Sequence, residues 1–198
     1  MGTLNVDSIN DAAGSITALD VTKEIGIWQF VSTAAITAAA NLNITGIAAG
    51  YDYLIQLEAF CPTTDTNLLF LRVSTNGGSS YLAGVSDYQW AAVAGADDAD
   101  SEITLSGTYS VGNDAGNLNT IVLTLINPSG TGENMTVDWS GLIETDAATP
   151  AFKEMDGGGA YIGATTAVDA VQFGWSTNYG TDTFKAQGDI TVWRRRRS

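Results

Sequence analysis

The chain of 198 residues contains no histidine. That absence removes Ser-His-Asp and Cys-His catalysis and every His-ligated metal site. Its single cysteine, Cys61, excludes an internal disulfide and Cys-based zinc sites. Cys61 closes an apolar strand face, so it reads as a small core residue rather than a nucleophile. Basic residues are scarce, 8 against 22 acidic ones, for a net charge of −14. Half of the 8 are consecutive, Arg194, Arg195, Arg196 and Arg197. An acidic body repels phosphate, so no nucleic-acid partner is expected. The acidity favours solubility and opposes self-association.

Long apolar runs are also missing. Residues 25–50 carry no charge, but Gln29, Ser32, Thr33, Thr37, Asn41, Asn43 and Thr45 interrupt the apolar content. A membrane-spanning helix needs about 20 mostly apolar residues, so no membrane insertion is expected. The first residues lack a basic segment followed by an apolar one, so no secretory leader is expected. Val6 stands where N-myristoylation requires Ser or Thr.

What the sequence has in abundance is strand alternation and glycine. In residues 51–61 the odd positions are Tyr51, Tyr53, Ile55, Leu57, Ala59 and Cys61, and the even ones include Asp52, Gln56 and Glu58. A period of two belongs to a strand with one buried face. Leu69, Leu71 and Val73 alternate with Phe70, Arg72 and Ser74 in the same way, which predicts a second such strand. Asn76-Gly77-Gly78 supplies the residues that a tight reversal needs, with another strand beginning near Tyr81.

Residues 25–32 predict a strand with Trp28 and Phe30 on one face, and residues 33–40 a loop or an edge strand. Leu42 and Ile44 mark a short strand, and Tyr88 and Trp90 another. Residues 95–100 (GADDAD) read as an acidic loop, and residues 102–109 as a short strand. Residues 118–126 have apolar side chains on both faces, which suits a central strand. Residues 134–144 alternate cleanly, and Asp156-Gly157-Gly158-Gly159 reads as a flexible loop. Val171, Phe173 and Trp175 mark the penultimate strand. Phe184, Ala186, Ile190 and Val192 mark the last one, with a bulge at Gly188. About ten short strands with glycine-rich turns predict an all-β antiparallel sandwich or barrel.

Residues 1–23 differ from this pattern. Leu4, Val6, Ile9, Ile16, Leu19 and Val21 are scattered among small and polar residues and cannot build a core. They read either as an arm that gains order by lying on another chain or as a frayed terminus. The expected organisation is an assembly arm at 1–23 bearing Leu4, Val6 and Ile9, a β-sandwich at 24–193, and a basic tail at 194–198.

Three stretches resemble one family. GTLNVDSINDAAGS near the start is similar to the N-terminal segment of bacteriophage tail and tail-fibre proteins. Residues 41–81 resemble the "ITGI…Y-x-Y…L-x-L-R-x-S-x-x-G-G-x-x-Y" run of such virion proteins, and TFKAQGDITVW resembles their closing strand. The resemblance spans about half of the chain. It departs from the pattern at Asn76, at Trp193 and in the RRRRS ending. It implies a jelly-roll-like β-sandwich with an extended N-terminal arm, forming a trimeric knob on the virion surface.

The function so implied is a non-enzymatic virion structural protein, a tail fibre or appendage for host attachment. The alternatives are a capsid decoration protein and a glycan-hydrolysing tail protein. The implied partners are other copies of the chain, other virion proteins and a host surface glycan, and no cofactor is expected.

Four sets of residues are candidate sites. Asp97, Asp98, Asp100 and Glu102 cluster oxygen ligands but lack EF-hand spacing, so no calcium site is expected. Glu58, Asp138 and Glu144 lie at outward strand positions, where a carboxylate pair could act on a sugar. Trp28, Trp90, Trp139 and Trp175 fall in phase with apolar strand positions and read first as core; Trp90, next to Tyr88 and Gln89 and beside a loop, is the best of them for stacking on a sugar, with Tyr88 beside it. Arg194 to Arg197 are expected to dock on carboxylates of a neighbouring subunit, because guanidinium forks match carboxylates.

Overall fold

The alternation at Tyr53, Ile55 and Leu57 becomes the inner face of a strand at the middle of a large sheet. All three side chains are buried, at 3%, 0% and 0% exposure. A computed structural model describes residues 9–11, 14–16, 26–114, 119–145, 151–176 and 182–197. Among these every regular element is a β-strand.

In chain order the strands are β1 (Ile9–Asp11), β2 (Gly14–Ile16), β3 (Gln29–Ala35), β4 (Leu42–Thr45) and β5 (Tyr51–Phe60). Next come β6 (Leu69–Ser74), β7 (Tyr88–Ala92), β8 (Gly95–Asp100), β9 (Ile103–Thr104) and β10 (Asn119–Ile126). The last five are β11 (Thr136–Glu144), β12 (Phe152–Glu154), β13 (Gly157–Tyr161), β14 (Ala170–Trp175) and β15 (Asp189–Arg196).

β1 and β2 pair with each other. The remainder form two antiparallel sheets. The larger has nine strands in the order β3-β15-β5-β10-β11-β13-β7-β8, with β12 also on β11. The smaller has the order β4-β14-β6-β9. The two pack face to face as a β-sandwich over one core. Polar contacts lock them together. The Tyr88 hydroxyl accepts from the Val73 N–H at 2.9 Å and donates to the Leu82 carbonyl at 3.0 Å. The Trp139 indole N–H donates to the Leu105 carbonyl at 2.9 Å.

The inward phase of β5 changes near its end. Ala59 has φ +52°, and the register with β10 shifts between Asn119 and Thr120. This bulge turns Phe60, an even-numbered residue, into the core, where its ring centroid is 6.3 Å from that of Trp175.

Several sequence expectations are corrected. β6 is buried on both faces, not one, because Phe70, Arg72 and Ser74 are covered as well. Gly77 and Gly78 do reverse the chain, with φ +74° and +81°, but Tyr81 opens a loop rather than a strand. The acidic stretch 95–100 is the edge strand β8, paired with β7. The strand expected over 102–109 contracts to β9.

The triple glycine is not a loop. It begins β13, which lies between β11 and β7. A Cβ on Gly157 would meet the Trp139 indole and stand 2.5 Å from the Ala91 carbonyl oxygen. Glycine is there because the neighbouring chains approach too closely for a side chain.

The last strand runs past the expected boundary at 193. Arg194, Arg195 and Arg196 align with Tyr53, Asp52 and Tyr51 of β5. These arginines belong to the sheet rather than to a separate tail. Leu4 and Val6 of the expected arm lie outside the described residues. Ile9 opens β1 opposite Ile16. The resemblance implies a jelly-roll; the two sheets found are unequal, nine strands against four.

Candidate functional site

The charged end of β15 forms the most distinctive side-chain cluster. Asp52 and Arg195 are register partners on the outward face of the large sheet. Arg195 Nε donates to Asp52 Oδ2 at 3.2 Å, and Arg197 Nε lies 3.8 Å from Oδ1. Asp52 is buried and also accepts from the Asn127 N–H at 3.0 Å. The guanidinium of Arg194 lies 4.5 Å over the Tyr51 ring, and that of Arg195 lies 4.9 Å over Trp28. Aromatic faces and one shared carboxylate therefore hold the arginines in place. Because the Arg195 and Arg197 side chains are more than a third exposed, each ion pair contributes only about 0.2–1 kcal/mol. The cluster is a fixed basic rim on an acidic protein.

The rim borders an apolar strip on the same outward face. Trp193 aligns with Leu54 on one side and with Phe30 on the other. Phe30 is 62% exposed and Val31, the extra residue of a bulge in β3, is 44% exposed. The segment leading into β3 meets the rim directly, since the Gly26 N–H donates to the Arg196 carbonyl at 3.3 Å. Sequence reasoning found the arginines but not this arrangement. The one available signal was the in-phase run Asp189, Thr191, Trp193, Arg195, which continues the strand alternation into the arginines.

At the other end of β15, loops meet in a polar knot. Asp182 is buried and accepts from the Thr63 hydroxyl, from the Thr183 N–H at 2.8 Å and from Asn67 Nδ2 at 2.5 Å. Asn113 bonds the Thr63 carbonyl and the Asp65 carboxylate, and its own carbonyl accepts from Lys185 Nζ. Cys61 sits beneath, with its thiol donating to the Pro62 carbonyl. Burial pushes that thiol up from its ordinary value, against the opposing pull of Lys185. A raised thiol is a poor nucleophile, which agrees with the core role read from the sequence. The knot fastens residues 61–67, 111–114 and 182–185 to one another.

The remaining candidates disperse. Tyr88 is fully buried, so it presents nothing to a glycan and is corrected to a core residue. Trp90 is 9% exposed, belongs to the core, and donates its indole N–H to Asp100 Oδ2 at 3.0 Å. Both side chains point inward because β7 alternates Tyr88 and Trp90 with the exposed Gln89 and Ala91. Trp90 also borders, with Gln89, Ala91, Asp98 and β13, a shallow depression of about 270 Å³.

The acids of the expected loop point apart. Asp97 and Asp98 face solvent, Asp100 holds Trp90, and Glu102 turns inward to Arg72 at 2.9 Å. Burial raises the Glu102 carboxyl above its ordinary 4.5, with Arg72 opposing. Among the described residues no three His, Cys, Asp or Glu side chains converge as a metal site would require.

Glu58 aligns through Thr120 with Leu142, two strands away. Sheet spacing then puts its Cα roughly 12 Å from that of Glu144 and roughly 17 Å from that of Asp138. Sugar hydrolysis by a carboxylate pair needs about 5–10 Å between the two carboxyls, which the Glu58–Asp138 separation exceeds and the Glu58–Glu144 separation leaves within side-chain reach.

No family model, curated protein or solved structure matches the chain. The functional reading therefore rests on the residues themselves and on the resemblance they carry.

Proposed function

We propose that this chain is a structural protein of a bacteriophage virion, a knob held at one end and presenting the other to a host surface. The observation that carries this reading is the polarity of the body. Gly26 bonds Arg196 at the basic rim, so the chain enters the body at the end where the arginines lie. The strand directions put the loops 61–67, 111–114 and 182–188 at the opposite end, tied together by Asp182 and Lys185. A body with attachment elements at one end and braced loops at the other suits a projecting knob. The resemblance adds the virion setting, the trimer and host attachment through a surface glycan.

A second reading is a capsid decoration protein, in which the arm and arginines act as cement between subunits. The uncharged, exposed β3 favours it, because such an edge suits side-by-side contact. The two readings differ in copy number. A fibre or appendage is present in a handful to tens of copies per particle and a cement protein in hundreds. Quantifying this chain against a protein of known copy number in purified virions separates them. Its absence from purified virions overturns both.

A further inference from the structure

The edges of the two sheets are not alike. A strand edge presents unpaired N–H and C=O groups, and proteins normally blunt it with charge, proline, shortness or cover. β8 carries Asp97, Asp98 and Asp100. β4 has four residues and β9 two. β3 is different. Its seven residues, QFVSTAA, include no charge, no proline and no glycine, and six of them are exposed. Among the described residues it pairs on one side only, with β15. Its one irregularity, the bulge at Val31, exposes an apolar side chain instead of hiding one. In a chain of net charge −14, a long neutral edge beside four arginines is the place where self-repulsion is least.

We propose that the free edge of β3 accepts the N-terminal segment of a second copy of this chain as an added strand. The donor is residues 3–7, Thr-Leu-Asn-Val-Asp, where Leu4 and Val6 alternate with polar residues as a one-faced strand requires. Main-chain bonds to the edge supply the pairing, and Leu4 and Val6 lie against Phe30, Val31 and Trp193. Charge favours the same occupant. Residues 1–23 hold Asp7, Asp11 and Asp20 against the single Lys23, and the recipient edge adjoins the arginine rim. The chain enters its body at Gly26, next to β3, so the segment that carries the donor joins the body beside the same kind of edge that it would fill next door. The contact joins two different surfaces, and such head-to-tail contacts form a ring when the rotation closes; three copies is the number that the virion resemblance implies.

This inference rests on reading residues 1–23 as an assembly arm, but its test needs no virion. Light scattering on purified full chain is expected to give about three times the 20.7 kDa of one chain. Val31→Lys and deletion of residues 1–23 should each reduce the mass threefold while leaving the near-UV circular dichroism of the body in place. Val6→Cys and Val31→Cys proteins, prepared separately and mixed under oxidation, should join as a disulfide-linked pair. The deletion decides the matter if Val31→Lys fails to fold. A single-chain mass for the full protein overturns the proposal. So does an arm deletion that still assembles, which would indicate β3-to-β3 pairing. So does a disulfide that forms only when both cysteines are on one chain. Failure here leaves the virion reading open, because that reading is judged on particles.

Discussion

One buried ion pair and one crowded glycine carry testable consequences at the scale of single residues. Arg72 and Glu102 form an ion pair at 2.9 Å, with side chains about a tenth exposed. Removing one partner of a buried pair strands the other charge. Arg72→Met is expected to cost about 3–5 kcal/mol in urea unfolding, and Glu102→Gln less, because glutamine can still accept from the guanidinium. The pH dependence has a definite sign. Burial raises the folded-state carboxyl of Glu102, so folding favours its protonated form. The stability contributed by protonation is absent at high pH, grows as pH falls through the folded-state value, and is complete below the ordinary 4.5. Wild type should therefore gain on Glu102→Gln as the solution is acidified. A shrinking gap would mean that the ion pair outweighs burial. Gly157 makes a steric case. Its missing Cβ is the space taken by Trp139 and the Ala91 carbonyl, and Gly157→Ala should lose about 1–3 kcal/mol by overpacking.

Elements show where local pattern suffices and where it does not. β5 and β11 are legible because each has one apolar face, and alternation at Ile55 and Val137 reports that directly; β10 is legible as a central strand from apolar residues on both faces, although only one face, with Ile121, Leu123 and Leu125, is fully buried. β6 was legible as a strand but not as a doubly covered one, since burial of Arg72 depends on Glu102, thirty positions away. β13 was misread as a loop because glycine signals flexibility locally, while here it answers to Trp139 and Ala91 on neighbouring strands. β15 was cut short because arginines look like a solvated tail until Asp52, Tyr51 and Trp28 are known to receive them. The default core reading of Trp90 holds, and its place beside a loop does not make it or Tyr88 a surface residue, because the alternation of β7 turns both inward. The extent of β15 reverses a natural expectation about truncation. Deleting residues 194–198 removes three residues paired with β5 and leaves Asp52 buried with the Asn127 N–H. That truncation should lower stability by about 2–4 kcal/mol, from the lost pairing and the stranded carboxylate. A melting temperature equal to that of the full chain would contradict this placement of the arginines.

Across the whole molecule the two ends are chemically distinct. One end gathers the arginines, the start of the body and the exposed edge of β3. The other gathers the loops fastened by Asp182, Asn67 and Asn113. Exposed substitutions should sort accordingly. Asp65→Ala and Thr66→Ala, at the loop end, should weaken attachment to host cells in a binding assay and leave particle incorporation unchanged. Val31→Lys, near the rim, should do the reverse. The most direct measurement is to locate the chain in imaged virions, with the arginine end and the loop end distinguished in the density. The account predicts density on the particle surface, with the arginine end inward against virion proteins and the 61–67 loops outward. Density within the particle, or the opposite orientation, would contradict it.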